Sequence, residues 1–181
     1  NVGCYSLIAA KHFNIKSIHA FEPFPINYSK CIQNVIKNNL SKQISVYNFA
    51  IDNVSKIQTL FHTNEYDSLE SGSSGHQIGE PVDEEGNIFV PQFKFLVNTY
   101  SIDDLQSISN IPRPSYIKID VDGREFEILK GAKETLKSGF IKSIMMEINL
   151  NRNDIINFLS TYGFRVAIEG EHGNTVFENI N

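Results

Sequence analysis

The chain has 181 residues, a formal net charge of −5 and 41% hydrophobic residues. This length permits one well-buried domain and leaves too little chain for two comfortable ones. The acidic balance argues against a nucleic-acid-binding surface, which is normally basic, and no apolar run approaches the length that crosses a bilayer. Cys4 and Cys31 are too few for a disulfide framework, so we expect a reducing, cytoplasmic setting. Nothing in the composition indicates the oligomeric state.

Strand and helix patterns alternate along the first half of the chain. Residues 17–23 form a short apolar run that ends in Glu22 and Pro23, which predicts a buried strand leading into a helix. From Asn27 onward, apolar residues recur at helical spacing. Further strands are predicted at 44–51, 56–62 and 92–100. Residues 63–92 are irregular and acidic, and we expect them to form an insertion that covers a bound substrate.

The second half alternates more regularly. A strand is predicted at 115–120, followed by a helix over 124–139 with Gly139 as its C-cap. A strand at 141–149 and a helix that ends at Gly163 come next. The chain then closes with two short strands joined by a turn at 171–173, which is typical of a hairpin.

Strand–helix alternation predicts a single α/β domain built on a mostly parallel sheet with helices on both faces. The closing hairpin adds antiparallel pairing at the C-terminal end of the chain. A nicotinamide-binding Rossmann domain would more simply continue with strand–helix–strand units. By fold analogy, a parallel sheet that ends in a hairpin suits the class I methyltransferase plan better.

Acidic residues stand at four predicted strand ends: Glu22, Asp52, Asp120 and Glu147. Ligands of open α/β sheets bind beyond the carboxyl ends of the strands, so these carboxylates are expected to converge on one crevice. S-adenosylmethionine explains such a set physically, because one carboxylate can accept both hydroxyls of its ribose. Its ammonium and sulfonium groups are cationic and favour nearby negative charge.

The residues around these strand ends also carry a resemblance. The matching segments, in chain order, are "NVGCYSL", "AFEPFPINYSKCIQNVIKNN", "VYNFAI", "YIKIDVDGREFEILKGA" and "IKSIMMEI". In these segments the chain resembles the FkbM-type methyltransferases, S-adenosylmethionine-dependent enzymes of the class I fold. The resemblance covers nearly the whole chain, and the segment that begins at Tyr116 is its most specific part.

The family pattern begins with a strand and an Asp-x-Gly-Ala-Asn-x-Gly loop. Only Asn1, Val2 and Gly3 match the end of that loop, so we expect this chain to be a fragment that lacks the first strand. We therefore expect the 181 residues alone to bind the cofactor poorly or not at all.

The resemblance implies a set of cofactor-binding residues. Glu22 is expected to bind the ribose, and Ala50 and Ile51 are expected to contact the adenine. Gly3 permits a close approach of the backbone or a positive φ. The complete expected set is Asn1, Gly3, Glu22, Ala50, Ile51 and Asp120. Two alternatives stay open. Asn1 would also suit the cap of a helix near Tyr5. For Asp52 the resemblance implies an adenine contact, and a solvated turn suits it equally well.

Asp120 is the residue we expect to carry the chemistry. A carboxylate buried at the end of a central strand beside a cation would position the methionine portion of the cofactor, act as general base on an acceptor hydroxyl, or bind a metal. We favour the general base. We expect Asp122 and Glu125 to share two roles, namely electrostatic stabilisation of the helix N-terminus and lining of the crevice. Gly123 is expected to form the tight turn between strand and helix.

A magnesium site formed by Asp120, Glu147 and Asn149 is a weaker alternative, based on the oxygen ligands that Mg²⁺ prefers. A Glu147 that simply accepts backbone hydrogen bonds is favoured over it. His62 and His76 flank or lie in the insertion, and either suits a base on the acceptor side or a solvated loop residue. The histidines and cysteines show no soft-metal spacing.

The predicted function is methyl transfer from S-adenosylmethionine to a hydroxyl on a sugar, glycolipid or secondary metabolite. A non-catalytic scaffold with the same fold is the first alternative, although it would be expected to lose the acids at the strand ends. A nicotinamide-dependent oxidoreductase is the second, and no Gly-x-Gly-x-x-Gly turn supports it.

Overall fold

The computed structural model describes residues 1–62, 72, 75–83, 86–108, 110–148, 150–171 and 173–181. Its elements follow in this order: α1 Cys4–His12, β1 Ile18–Phe21, α2 Pro25–Lys37, β2 Ile44–Tyr47, β3 Ala50–Ile51, β4 Lys56–His62, β5 Gln77–Ile78, β6 Phe93–Tyr100, α3 Ile102–Ile108, β7 Tyr116–Ile119, α4 Glu125–Lys130, α5 Lys133–Lys137, β8 Ser143–Glu147, α6 Arg152–Ser160, β9 Phe164–Glu169 and β10 Asn174–Asn179. The chain divides into two compact units, which are described separately. Unit 1 comprises Asn1–Ile51, Lys56–Pro81 and Phe89–Thr99, and unit 2 comprises Asp52–Ser55, Val82–Ile88 and Tyr100–Asn181.

Unit 1 begins with the predicted strand–helix–strand pattern. β1 and β2 pair in parallel, with Ile18 opposite Ile44. Between them, α2 starts at Pro25, whose fixed φ suits the first turn of a helix. Of its predicted apolar stripe, Cys31 and Val35 are buried, whereas Ile36 is exposed.

The single strand predicted over 44–51 is two strands in different sheets. β2 pairs with β1, whereas β3 lies next to β6. Between them, the side-chain amide of Asn48 donates to the backbone oxygens of Glu22, at 3.0 Å, and Pro23, at 3.1 Å. These bonds fix the chain to the end of β1 at the residue that follows β2, which separates the two strands.

The second sheet of unit 1 has the strand order β3-β6-β4-β5. β4 has the predicted bounds and pairs antiparallel with both β5 and β6. The core beside this sheet consists of Ala50, Leu60, Ile78 and Val97, with Phe95 packed against them. The predicted insertion at 63–92 lies partly outside the described residues, and β5 belongs to its described part.

Unit 2 contains a four-stranded sheet in the order β7-β8-β10-β9. β7 and β8 are parallel, whereas β10 is antiparallel to both β8 and β9, so the predicted closing hairpin is confirmed. Met146 and Phe177 from the sheet and Ile155 and Leu159 from α6 are buried. Apolar side chains on one stripe of α6 thus form part of this core, as the sequence pattern predicts.

The described strand pairs are mixed. β1–β2 and β7–β8 are parallel, but β4–β5, β4–β6, β8–β10 and β9–β10 are antiparallel. The α/β class is therefore confirmed, whereas a mostly parallel sheet is not what these strands form. The difference arises because β4, β5 and β6 pair antiparallel and because β10 lies between β8 and β9.

The helix predicted over 124–139 is interrupted. α4 ends at Lys130 and α5 begins at Lys133. At the interruption, the carbonyl of Gly131 accepts the amide of Asp103 at 3.0 Å, and the carboxylate of Asp103 accepts the backbone amides of Glu134 and Thr135 at 2.9 and 2.8 Å. The start of α3 therefore caps the start of α5. Gly139 has φ +71°, which suits its predicted role at the end of this segment.

Among the described residues, no helix has both the length and the apolar character needed to cross a membrane.

Candidate functional site

Glu22 is a buried carboxylate at the carboxyl end of β1. The backbone N–H of Phe24 donates to its Oε1 at 2.8 Å, and the backbone nitrogen of Asn1 donates to its Oε2. Its own backbone N–H donates to the carbonyl of Tyr47 at 3.0 Å, which continues the β1–β2 pairing by one residue. The carboxylate is thus held at the strand end, where ligands of α/β sheets bind.

Gly3 packs directly against α2. Its φ is +86°, and a Cβ at this position would lie 2.6 Å from the Sγ of Cys31. Gly3 has the predicted positive φ, and the residue that its backbone approaches closely in the structure is Cys31. Asn1 does not cap α1, because the N-cap is Gly3 and the Oδ1 of Asn1 accepts the amide of Val2 at 2.6 Å.

Ala50 and Ile51, the expected adenine contacts, form β3 in unit 1, with Ala50 buried and Ile51 half-buried. Asp52 follows them and belongs to unit 2. It is not a solvated turn residue, because its side chain is only 1% exposed and its two oxygens accept from the Nη2 of Arg124 at 2.7 and 2.9 Å. This ion pair joins the segment after β3 to the residue just before α4.

Asp120 lies just after β7, which is an outer strand of its four-stranded sheet. Its side chain is 40% exposed and forms an ion pair with Lys118. Asp120 is therefore not the expected buried carboxylate at the end of a central strand. It is accessible to solvent and is paired with Lys118, two residues before it. Asp120 thus lies in unit 2, at the carboxyl end of β7.

The turn from β7 into α4 has two consecutive residues with positive φ, Asp122 at +53° and Gly123 at +99°. Glu125 stabilises this turn, because its buried Oε1 accepts the amides of Val121 and Gly123 at 3.3 and 3.2 Å. Burial raises the pKa of Glu125, and hydrogen bonds from backbone amides partly offset that effect. Gly123 forms the predicted tight turn, and Glu125 fastens it from the first turn of α4.

The weaker magnesium alternative gains no support. Glu147 is half-buried at the end of β8, opposite Asn174 of β10, and Asn149 lies outside the described residues. Within the described ranges, no three His, Cys, Asp or Glu residues come together in a way that would hold a metal ion. We therefore derive no chemical step through a metal.

An unexpected group lies beside Glu22 in unit 1. Phe24, His62 and His76, here called the imidazole cluster, pack ring against ring. Phe24 is stacked on His62 at a centroid distance of 5.3 Å and an interplanar angle of 5°, and His76 lies 4.1 Å from Phe24 and 4.7 Å from His62. His62 is only 3% exposed. Sequence reasoning placed these histidines near the insertion but had no signal for their contact, since 14 positions separate them.

The imidazole cluster contains polar atoms that are not satisfied. Both ring nitrogens of His62 and the Nε2 of His76 are buried and have no hydrogen-bond partner in the part of the chain that the structure describes. Burial and, after it, the neighbouring His62 lower the pKa of His76 from 6.5 to about 4. Burial also lowers the pKa of His62. Both rings are therefore neutral at pH 7.

The mixed sheets and their helices define an α/β fold that occurs among methyltransferases of known structure. The crystal structure of methyltransferase FkbM from Methylobacillus flagellatus KT matches 96% of this chain with a TM-score of 0.57 at 16% identity. The match covers 39% of that chain, so the present sequence spans well under half of its length. A likeness at this identity concerns the fold alone.

The family follows from the sequence match. The model of the methyltransferase FkbM domain matches residues 1–166, and the chain therefore belongs to this family. One relative is "Methyltransferase 1" of Beauveria bassiana (strain ARSEF 2860), 24% identical over 183 residues, which cover 93% of this chain and 71% of the relative. Another is "Hexuronic acid methyltransferase AglP" of Haloferax volcanii, 31% identical over 64 residues, which cover 35% of this chain and 27% of the relative.

Proposed function

We propose that this chain is the methyl-transferring domain of an S-adenosylmethionine-dependent enzyme that acts on a hydroxyl oxygen. Family membership supports methyl transfer. The observation that carries the cofactor assignment is the buried carboxylate of Glu22 at the end of the parallel strand β1, oriented by the amide of Phe24. A carboxylate held in this way is suited to accept hydrogen bonds from two vicinal ribose hydroxyls.

Other residues are proposed as cofactor contacts. Asn1 and Gly3 immediately precede α1, and the backbone nitrogen of Asn1 lies beside the carboxylate of Glu22. The buried Ala50 and the half-buried Ile51 in β3 offer an apolar surface, which suits an adenine ring. Asp120 in unit 2 remains a candidate for the methionine portion.

When bound, S-adenosylmethionine supplies a methyl group activated by its positively charged sulfur. A hydroxyl acceptor also has to lose its proton, and a base held within hydrogen-bond reach accelerates that step. Asp120 is one candidate for this base, because its carboxylate is accessible to solvent just after β7. Alignment of the reacting atoms by the binding residues lowers the barrier further.

The acceptor is proposed to be a sugar, a glycolipid or a secondary metabolite. The partial match to a relative named as a hexuronic acid methyltransferase favours a sugar hydroxyl among these. We also propose that both units belong to one methyltransferase domain, since the family match crosses both. A cytoplasmic setting is part of the proposal and is supported by the free thiols of Cys4 and Cys31.

The test is cofactor binding by the full-length protein, measured by isothermal titration calorimetry. We expect micromolar affinity for S-adenosylmethionine, and we expect Glu22→Gln to weaken it about 10- to 100-fold, because a charge-assisted hydrogen bond is lost. The glutamine oxygen can still accept the amide of Phe24, so folding is retained. The exposed Glu178→Gln is the matched control and should leave affinity unchanged.

The 181 residues alone should bind much more weakly than the full-length protein. A full-length protein that shows no binding at millimolar cofactor would overturn the proposal. Incorporation of a tritiated methyl group into an acceptor then separates an enzyme from a scaffold that only binds the cofactor.

A further inference from the structure

The imidazole cluster retains an unmet demand for hydrogen bonds. A buried donor or acceptor without a partner is destabilising, and His62 presents one donor and one acceptor in its neutral form. Phenylalanine would fill the same space against Phe24 without this cost. The two imidazoles therefore need an explanation beyond packing, and a ligand that completes their hydrogen bonds provides one.

The surroundings select a neutral ligand group that both donates and accepts. Burial disfavours positive charge on these rings, as the lowered pKa of His76 shows, and the same burial disfavours an ammonium or carboxylate ligand. A hydroxyl can donate to the unprotonated nitrogen of one imidazole and accept from the N–H of the other. A single hydroxyl bound between His62 and His76 would therefore satisfy two of the three buried nitrogens.

A transition-metal ion fits the same atoms less well. A histidine that binds a metal through one ring nitrogen almost always donates its other N–H to a carboxylate, carbonyl or water. His62 has no partner at either nitrogen, and no third ligand joins the pair among the described residues.

The cluster also lies next to the proposed cofactor contact. Phe24, which packs against both imidazoles, donates its backbone N–H to the Oε1 of Glu22. All of these residues belong to unit 1. The imidazoles are thus connected through a single residue to the carboxylate that we assign to the ribose.

We propose that His62 and His76 bind the hydroxyl group of the methyl acceptor, a neutral pyranose hydroxyl, and that His62 takes up its proton. This inference rests on the proposed function. The O–H bond breaks and its proton passes to a ring nitrogen of His62, while an oxygen lone pair forms the new bond to the methyl carbon. The carbon–sulfur bond breaks, and its electron pair stays on sulfur as a neutral thioether. The proton then leaves to solvent by way of His76, which is only half-buried.

The charge balance makes this step reasonable for a buried base. One positive charge disappears from sulfur as one appears on the imidazole, so the reaction creates no additional charge. If His62 takes up the proton, Asp120 does not act as the base on the acceptor, and its remaining role is to bind the cofactor. The two residues are then separable by experiment, because one should affect turnover and the other should affect donor affinity.

The first experiment needs no variant. The full-length protein, labelled with ¹⁵N at histidine and saturated with S-adenosylhomocysteine, is titrated with methyl β-D-glucopyranoside and with methyl β-D-glucuronide while the imidazole nitrogens are followed by NMR. At least one probe should shift the resonances of His62 and His76, whereas the exposed His12 should not respond. If neither probe moves the two imidazoles, or if stoichiometric Zn²⁺ moves them and the sugars do not, the inference fails.

The second experiment measures methyl transfer to the responding probe. His62→Phe, which keeps a ring against Phe24, should lower kcat at least about 100-fold, leave donor affinity unchanged and remove the acidic limb of the pH–rate profile. Asp120→Asn should mainly weaken donor binding, and His12→Gln should change nothing. A His62→Phe enzyme with wild-type kcat overturns the inference while leaving the proposed function intact. A wild-type protein that binds no donor overturns the proposed function instead.

Discussion

Asp52 shows how the role of a side chain depends on a partner far away in sequence. Its position after a predicted strand suited a solvated turn equally well, but the structure buries it against Arg124, 72 residues later. A buried carboxylate without a cation is strongly destabilising, so the pair fixes the segment after β3 to the start of α4.

Replacement of Arg124 by methionine tests this pair. The variant removes the cation from a carboxylate that is 1% exposed, and we expect the free energy of unfolding to fall by about 3 kcal/mol in urea titrations. The double variant Asp52→Asn with Arg124→Met should recover part of the loss, because the buried charge is also removed. Lys137→Met, which disrupts the exposed pair with Glu134, should have little effect. If Lys137→Met lowered the free energy of unfolding as much as Arg124→Met, the stabilising role of the Asp52–Arg124 pair would be contradicted.

Gly131 explains why the single helix predicted over 124–139 is two helices, α4 and α5. A Cβ at this position would lie 2.6 Å from the carbonyl oxygen of Asp52 and 2.9 Å from the Cα of Asn53. The backbone at Gly131 approaches residues 52–53 this closely only because it has no side chain. Its carbonyl accepts the amide of Asp103, so the interruption lies where the helical segment meets α3 and the chain after β3.

Gly131→Ala is therefore expected to destabilise the protein even though alanine favours helices. The clash is with backbone atoms that cannot rotate away, and we expect a loss of about 1–3 kcal/mol in the free energy of unfolding. Helix propensity alone predicts a gain of about 1 kcal/mol, so the sign of the change decides between the two effects. Lys133→Ala, on the exposed side of α5, is the matched control and should change stability little. A more stable Gly131→Ala variant would show that the segment can continue as one helix.

Sequence patterns predicted those elements whose signal is local. β1 and β4 follow from apolar runs, and the stripes of α2 and α6 follow from helical spacing. The interruptions at Asn48 and Gly131 depend on contacts with distant segments and leave no local signal. α3 was missed although "SIDD" contains a capping signature, and the amide of Asp104 does donate to the Oγ of Ser101 at 3.0 Å.

The residues of the candidate site also fall into those with a local sequence signal and those that depend on distant contacts. Glu22 was identifiable because it ends a predicted strand, and the structure places it buried at that end. The burial of Asp52 and the contact between His62 and His76 were not identifiable, because each depends on the pairing of segments that the sequence keeps apart. The prediction that Glu22 and Asp120 share a crevice stays a prediction, since they belong to different units.

The response of the whole chain to acid follows from opposing titrations. His76, with a pKa lowered from 6.5 to about 4, and His62 and His19, with pKa values also lowered by burial, take up protons more readily when unfolded. Their contribution to stability is complete above pH 6.5 and is lost as the pH falls towards the folded pKa values. Glu125 acts in the opposite direction, because burial raises its pKa and acid therefore favours its folded form.

The histidines should dominate between pH 6.5 and 4, since the change at His76 alone corresponds to at most about 3 kcal/mol. We expect the free energy of unfolding, measured by urea titration across this range, to decrease steadily as the pH falls. His76→Phe removes the largest histidine contribution and should flatten the curve, whereas the exposed His12→Gln should leave its slope unchanged. A wild-type protein that becomes more stable towards pH 4 would mean that Glu125 outweighs the buried imidazoles and that His62 and His76 are hydrated in solution.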